Sequence, residues 1–148
     1  MTQEPTVEVE VHIRARPETV FSFFIEPARY RLWHGEEAQL EPWPGGLYRV
    51  VMATRDVARG QYVEVDPPRR LVFSWGFEGN PALPPGTTTV EVTFDPDPEP
   101  GTTLLRLRHR GLPDEDTRAM HRAGWRDFLD RLAIVTTGGD WGPAREDT

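Results

Sequence analysis

The stretch 104–139, LLRLRHRGLPDEDTRAMHRAGWRDFLDRLAIVTTGG, decides the architecture. In its first seven residues Leu105, Leu107 and His109 share one face, with Arg106, Arg108 and Arg110 opposite. That alternation is the pattern of a half-buried strand. Beyond Pro113 the period changes. His121, Trp125, Phe128, Leu132 and Val135 recur every three or four residues and form one continuous apolar stripe, as on a long amphipathic helix. Asp114 is placed to cap it, Glu115 and Asp116 suit the positive end of its dipole, and Gly138 and Gly139 can stop it. A strand therefore runs almost directly into a long C-terminal helix.

Upstream, residues 36–110 read as a meander of antiparallel strands with bodies at 47–53, 61–65, 71–77, 88–94 and 104–109. Pro42, Pro44, Gly45 and Gly46 punctuate the first hairpin, Asp66, Pro67 and Pro68 the next, and 95–101 the last. The proline-rich segment 80–86 reads as a loop. Earlier still, Val7, Val9, Val11 and Ile13 alternate with Glu8, Glu10 and His12, a strand whose His12 should face water. Pro17 suits a helix first turn, and Val20, Phe21, Phe24 and Ile25 follow at helical spacing. Pro27 interrupts that helix and begins a second short one through Trp33, which Gly35 is placed to end. The expected fold is α+β. A curved antiparallel sheet of about six strands, with two short helices after the first, is gripped by the C-terminal helix. Residues 1–6 are expected to be a tail, 7–137 a single domain, and 138–148, which include Trp141, a poorly ordered tail.

Bulk properties narrow the function. The chain has 148 residues, enough for one domain with a real core and room for a cavity. It has no cysteine, which excludes disulfides and thiolate chemistry, and no lysine, which excludes Schiff bases. Arginine in place of lysine throughout is the bias expected of a GC-rich bacterial genome. A net charge of −7 opposes bulk attraction to nucleic acid or an anionic membrane. No apolar run approaches the roughly 20 residues of a membrane span. Residues 1–6 have neither the basic start nor the apolar stretch of a signal peptide, so a cytoplasmic location is expected.

Five short motifs then resemble a known family. They are Arg31-Leu32-Trp33-His34-Gly35, Pro44-Gly45-Gly46, Glu64-Val65-Asp66-Pro67-Pro68-Arg69-Arg70-Leu71 leading into Phe73-Ser74-Trp75, Gly101-Thr102-Thr103-Leu104 leading into His109-Arg110-Gly111-Leu112-Pro113, and His121-Arg122-Ala123-Gly124-Trp125 with Leu129 and Leu132. In this order, over about residues 7–137, they resemble the activator of heat-shock-protein-90 ATPase homologue-like proteins of the START/polyketide-cyclase/Bet v 1-like (SRPBCC) superfamily. The resemblance implies a helix-grip fold with a hydrophobic cavity between sheet and last helix, and it carries over no catalytic residue.

Sequence phase aims Trp75, Phe77, Leu107, His109, His121, Trp125 and Phe128 inward, with Trp33, Tyr48, Met52 and Met120 nearby. Ligand sites are mostly apolar, with a few polar groups fixing orientation. The expected function is therefore binding of a small hydrophobic ligand (a lipid, polyketide-like or aromatic metabolite), oriented by His109 or His121. Each histidine could instead be a satisfied core or rim residue, with His109 at the cavity mouth; either could make binding pH-dependent. Gly124 costs about 1 kcal/mol in mid-helix. It either lets the helix approach the sheet closely, the preferred reading, or leaves room for a ligand.

The four histidines lack metal-ligand spacing, and Ser22 and Ser74 sit in no nucleophile motif, so neither metal, cofactor nor covalent catalysis is expected. The alternatives are a cyclase/aromatase-like enzyme working in the same cavity by acid/base chemistry, and a chaperone-regulating protein-interaction module. A homodimer through an edge strand is compatible with the sequence.

Overall fold

A computed structural model describes residues 5–137. Expectations placed on residues 1–4, Gly138, Gly139, Trp141 and the tail 138–148 lie outside the described residues. The elements are β1 (Thr6–Ile13), α1 (Pro17–Ile25), α2 (Pro27–Tyr30), β2 (Glu37–Leu40), β3 (Leu47–Val51), β4 (Val57–Asp66), β5 (Arg70–Trp75), β6 (Thr88–Pro96), β7 (Thr103–Arg110) and α3 (Glu115–Thr136). The strands form one antiparallel sheet in the order β1-β7-β6-β5-β4-β3-β2. Consecutive strands from β2 to β7 are neighbours, and α1 and α2 carry the chain from β1, at one edge, to β2 at the other. The sheet is open.

Seven strands stand where about six were expected. The additional one is β2, whose four residues, Glu-Ala-Gln-Leu, are too few to display a period. A register shift between Tyr62 and Glu64 in β4 leaves Val63, 57% exposed, out of the register and moves the inward phase to Val65. This is the behaviour of a β-bulge, which breaks alternation locally.

Along β7 the period-two pattern decides both faces. Leu105, Leu107 and His109 are buried, while Arg106 and Arg108 pair across the strands with Glu10 and Glu8 at 2.8 and 3.0 Å. Glu91 of β6 accepts from Arg110 at 3.1 Å and also from Arg70. The outer face is thus a ladder of opposite charges in register, each exposed pair worth roughly 0–1 kcal/mol.

The inner face is filled unevenly. At one end α1 sets Phe21 and Phe24 edge-on to Phe94 of β6, with ring centroids 5.1 and 5.2 Å apart. Trp33 closes on Phe24 at 4.8 Å, and its indole N–H donates to the Phe23 carbonyl at 2.9 Å. α3 lies against β1, and its C-terminal half buries Leu129, Leu132 and Val135. Full burial stabilises by about 1.5–3 kcal/mol for each such side chain. The N-terminal end of α3 is capped as the sequence predicts, the Thr117 N–H donating to Asp114 Oδ1 at 2.8 Å. That bond holds the Asp114 carboxyl below its ordinary range. Beneath the first turns of α3 the sheet is not covered solidly, and a cleft opens there.

Candidate ligand-binding site

The cleft has a volume of about 640 Å³. Its walls come from four places in the chain. α3 contributes Met120, His121, Gly124, Trp125 and Phe128; Trp75 at the end of β5 and Phe77 just beyond it form the sheet side. The β3–β4 hairpin supplies Met52, Thr54 and Asp56, and the loop after Phe77 supplies Glu78 to Pro81. The fourth contribution is His34, from the turn after α2. The interior is aromatic and the acids lie at the rim. Glu78 is held there by Arg49 and Arg59 at 3.2 and 2.9 Å, and their hydrogen bonds lower its carboxyl below the ordinary range.

Two tryptophan–histidine pairs floor the cleft and fasten α3 to the sheet. The Trp75 indole N–H donates to His121 Nε2 at 3.3 Å, and His121 Nδ1–H donates to the Thr117 carbonyl at 2.9 Å. The second pair is reversed, with the tryptophan on the helix. The Trp125 indole N–H donates to His109 Nδ1 at 3.1 Å. The proton of the neutral His109 ring therefore sits on Nε2, which donates to Thr88 Oγ1 at 2.8 Å. The Thr88 hydroxyl donates in turn to the Trp75 carbonyl at 2.9 Å. Both nitrogens of both rings are thus engaged within the protein. Burial, with the neighbouring His121 second, pushes His109 down to about 3. Burial also lowers His121, against an opposing contribution from the Thr117 carbonyl.

Of the residues singled out from sequence, Met52, Trp75, Phe77, Met120, His121, Trp125 and Phe128 come together around the cleft. Met120 is 65% exposed and forms its outer lip. Trp33 lines a smaller adjoining cavity of about 290 Å³, which shares His34, Met52 and Phe128 with the main one. Tyr48, Leu107 and His109 are fully buried in the sheet core behind the lining. His109 therefore does not stand at a mouth, and a ring that remains neutral until about pH 3 gives no pH dependence to binding near neutrality. The preferred reading of Gly124 also changes. A Cβ placed there would meet nothing within 4 Å, so this glycine leaves space in the cleft wall and does not bring helix and sheet together.

A family model for activator of Hsp90 ATPase homolog 1-like proteins matches residues 14–136. The chain belongs to that family. The match places this AHSA1-like domain in the SRPBCC, or Bet v 1-like, fold. The AHSA1-like protein of Rhizobium etli is 41% identical, with a TM-score of 0.74 over 97% of this chain and 88% of its own. CalU16 of Micromonospora echinospora is 27% identical, with a TM-score of 0.73 over 96% of this chain and 80% of its own. DynU16, encoded in the dynemicin biosynthetic locus, is 26% identical with a TM-score of 0.77; the alignment covers 99% of this chain and 60% of DynU16. A search of curated proteins found no match. Among the described residues no helix of the AHSA1-like chain is long and apolar enough to cross a membrane.

Sequence reasoning missed the rim residues Thr54, Asp56 and Glu78 to Pro81 and, inside the cleft, His34. His34 lies in the Arg31–Gly35 motif, outside any helical or strand period, so no face could be assigned to it. Gly35, at φ +82°, turns the chain immediately after it, and a side chain there would clash with Val50 Cγ1 at 2.4 Å. Turn and close approach together fix where His34 emerges. Its ring is inclined by 29° to those of Trp75 and Trp125, at 6.1 and 5.4 Å, with Phe128 edge-on at 4.1 Å. Burial, with Arg131 nearby, pushes it down to about 3.

Proposed function

We propose that the cleft binds a small hydrophobic molecule, a lipid, polyketide-like or aromatic metabolite, by burying its apolar surface between β5 and the first half of α3. The observation that carries this reading is a space of about 640 Å³ walled by Trp75, Phe77, Trp125 and Phe128, with a smaller cavity of about 290 Å³ adjoining it. Such a volume lies within the usual range for small-molecule sites. Similarity to DynU16, a protein of the dynemicin biosynthetic locus, supports a metabolite over a structural lipid. Acid/base turnover would need an ionisable group addressed to the substrate. His121 has both nitrogens engaged, His109 lies behind the lining, burial holds His34 neutral and Asp56 and Glu78 stand at the rim, which favours binding over turnover.

A thermal-shift screen against fatty acids, sterols, flavonoids and polyketide-like aromatics tests this. A ligand at a hundred times its dissociation constant adds about 2.7 kcal/mol of stability, and each kcal/mol moves the midpoint by roughly 2–4 °C at this size. A shift of several degrees from one class is expected. No shift from any class, with no small molecule co-purifying, would sink the binding reading.

A further inference from the structure

His34 is 1% exposed, yet only one of its two ring nitrogens is used by the protein. Nδ1 lies 2.8 Å from the Tyr30 hydroxyl, which is itself hydrogen-bonded to the Tyr48 hydroxyl. Nε2 has no protein partner among the described residues. Among the described residues the Tyr62 hydroxyl is the sole side-chain polar atom sealed from space without a hydrogen bond. His34 Nε2 is therefore reached from the space that His34 lines, the main cleft and the smaller cavity adjoining it.

The direction of the hydroxyl chain settles which way this nitrogen acts. If Tyr30 donated to Tyr48, the Tyr48 proton would be left without an acceptor in a fully buried site, at a cost of about 1–3 kcal/mol. In the opposite direction both hydroxyl protons are used, and the one donor left over, on His34 Nε2, is the one that reaches open space. Tyr48 O–H donates to Tyr30, and Tyr30 O–H donates to His34 Nδ1. The ring proton then sits on Nε2, as a donor facing the cleft. The donor is uncharged, because burial keeps the imidazole neutral down to about pH 3. Among the described residues no arginine lines the main cleft, Arg31 and Arg131 belonging to the smaller cavity beside it, and Asp56 and Glu78 stand at its rim. A ligand carboxylate in the main cleft would thus lack a cation in the wall and would pass two acids on entry. The rings of Trp75, Trp125 and Phe128 around His34 offer faces and edges suited to another aromatic ring.

We propose that His34 Nε2–H is the donor that orients the ligand of this cleft, and that the ligand is a flat, uncharged ring system carrying a carbonyl or similar neutral acceptor oxygen. This rests on the binding reading above and narrows it. The test compares 9-fluorenone with fluorene, which has the same ring frame without the carbonyl, by quenching of tryptophan fluorescence. The protein is expected to bind the ketone roughly 3- to 10-fold more tightly, the range of one neutral hydrogen bond. His34→Phe, which keeps a ring and removes the donor, should bind the two alike.

Equal affinities in the unaltered protein, or a ketone preference that survives His34→Phe, overturn the role of His34 and leave cleft binding standing. Binding of fatty acids or sterols with neither tricycle bound overturns the ligand class alone. No binding by any compound removes both readings. Should His34→Phe fail to fold, long-range ¹H–¹⁵N NMR of the unaltered protein decides. The Nε2–H tautomer is expected, with its proton resonance moved by fluorenone and unmoved by fluorene. An Nδ1–H tautomer overturns the proposal.

Discussion

At the residue scale, the two histidines that sequence phase turned inward do inward work of a different kind. His109 and His121 each accept from a tryptophan on the opposing element and donate to an oxygen, so the pairs stitch β5, β6, β7 and α3 together beneath the cleft. A buried imidazole has two positions to satisfy, and the polar partners of these two come from three elements, β5, β6 and α3. Thr88 is the most exacting test. Replacing Thr88 by Val keeps its shape but leaves His109 Nε2–H and the Trp75 carbonyl without their partner. Loss of a buried partner costs about 1–3 kcal/mol. Urea unfolding of Thr88→Val should show that loss, and Thr88→Ser should recover most of it. A neutral effect in the valine variant would mean that His109 is not held in the tautomer assigned to it.

At the element scale, the long helix was legible because its stripe is long, capped and periodic, and the inner faces of β1, β5, β6 and β7 because they alternate without interruption. β2 was not legible as a strand, since four residues carry no period, and the β4 bulge erases alternation where a reader would look for it. The site divides along the same line. Residues on α3 and β5 were found from phase, whereas His34 was not, because it belongs to a turn whose course depends on Gly35 and tertiary packing.

Gly124 sits on the legible helix, yet its meaning lay in the space opposite. Nothing within 4 Å would meet a Cβ there, so Gly124→Ala should gain the helix-propensity difference of about 1 kcal/mol and raise the midpoint by roughly 2–4 °C. Gly124→Leu should also fold, with its side chain directed into the cleft, and should weaken ligand binding by tenfold or more. A destabilised alanine variant would show that helix and sheet meet more closely than the structure has them. A leucine variant that bound ligand normally would place the ligand elsewhere.

At the scale of the whole molecule, the open sheet and single gripping helix produce a core that is solid at the α1 end and hollow under α3. The hollow end is kept in shape by buried neutral histidines, and this has a consequence for acid stability. In the unfolded chain each imidazole takes up a proton near its ordinary value of 6.5, whereas folded His34 and His109 do so only near 3. Between those limits the unfolded state binds more protons, so stability falls as the pH is lowered and is fully present above about 6.5. A group held neutral in this way removes about 2 kcal/mol by pH 5. His34 and His109 together should therefore cost about 4 kcal/mol there, and the lowered His121 adds to the same slope.

The carboxylates pulled down in the fold, Glu78 and Asp114, act with the same sign, but their range begins below the ordinary carboxylate values and leaves the interval from pH 6.5 to 5 to the histidines. Urea unfolding at pH 7.5, 6 and 5 separates the contributions. The unaltered protein should lose stability steeply across this interval, and His34→Phe should lose about one-third to one-half less, because it has one fewer imidazole to protonate on unfolding. Stability that stayed level between pH 7.5 and 5 would mean that the buried rings carry charge in the folded protein, and the neutral donor assigned to the cleft would go with it.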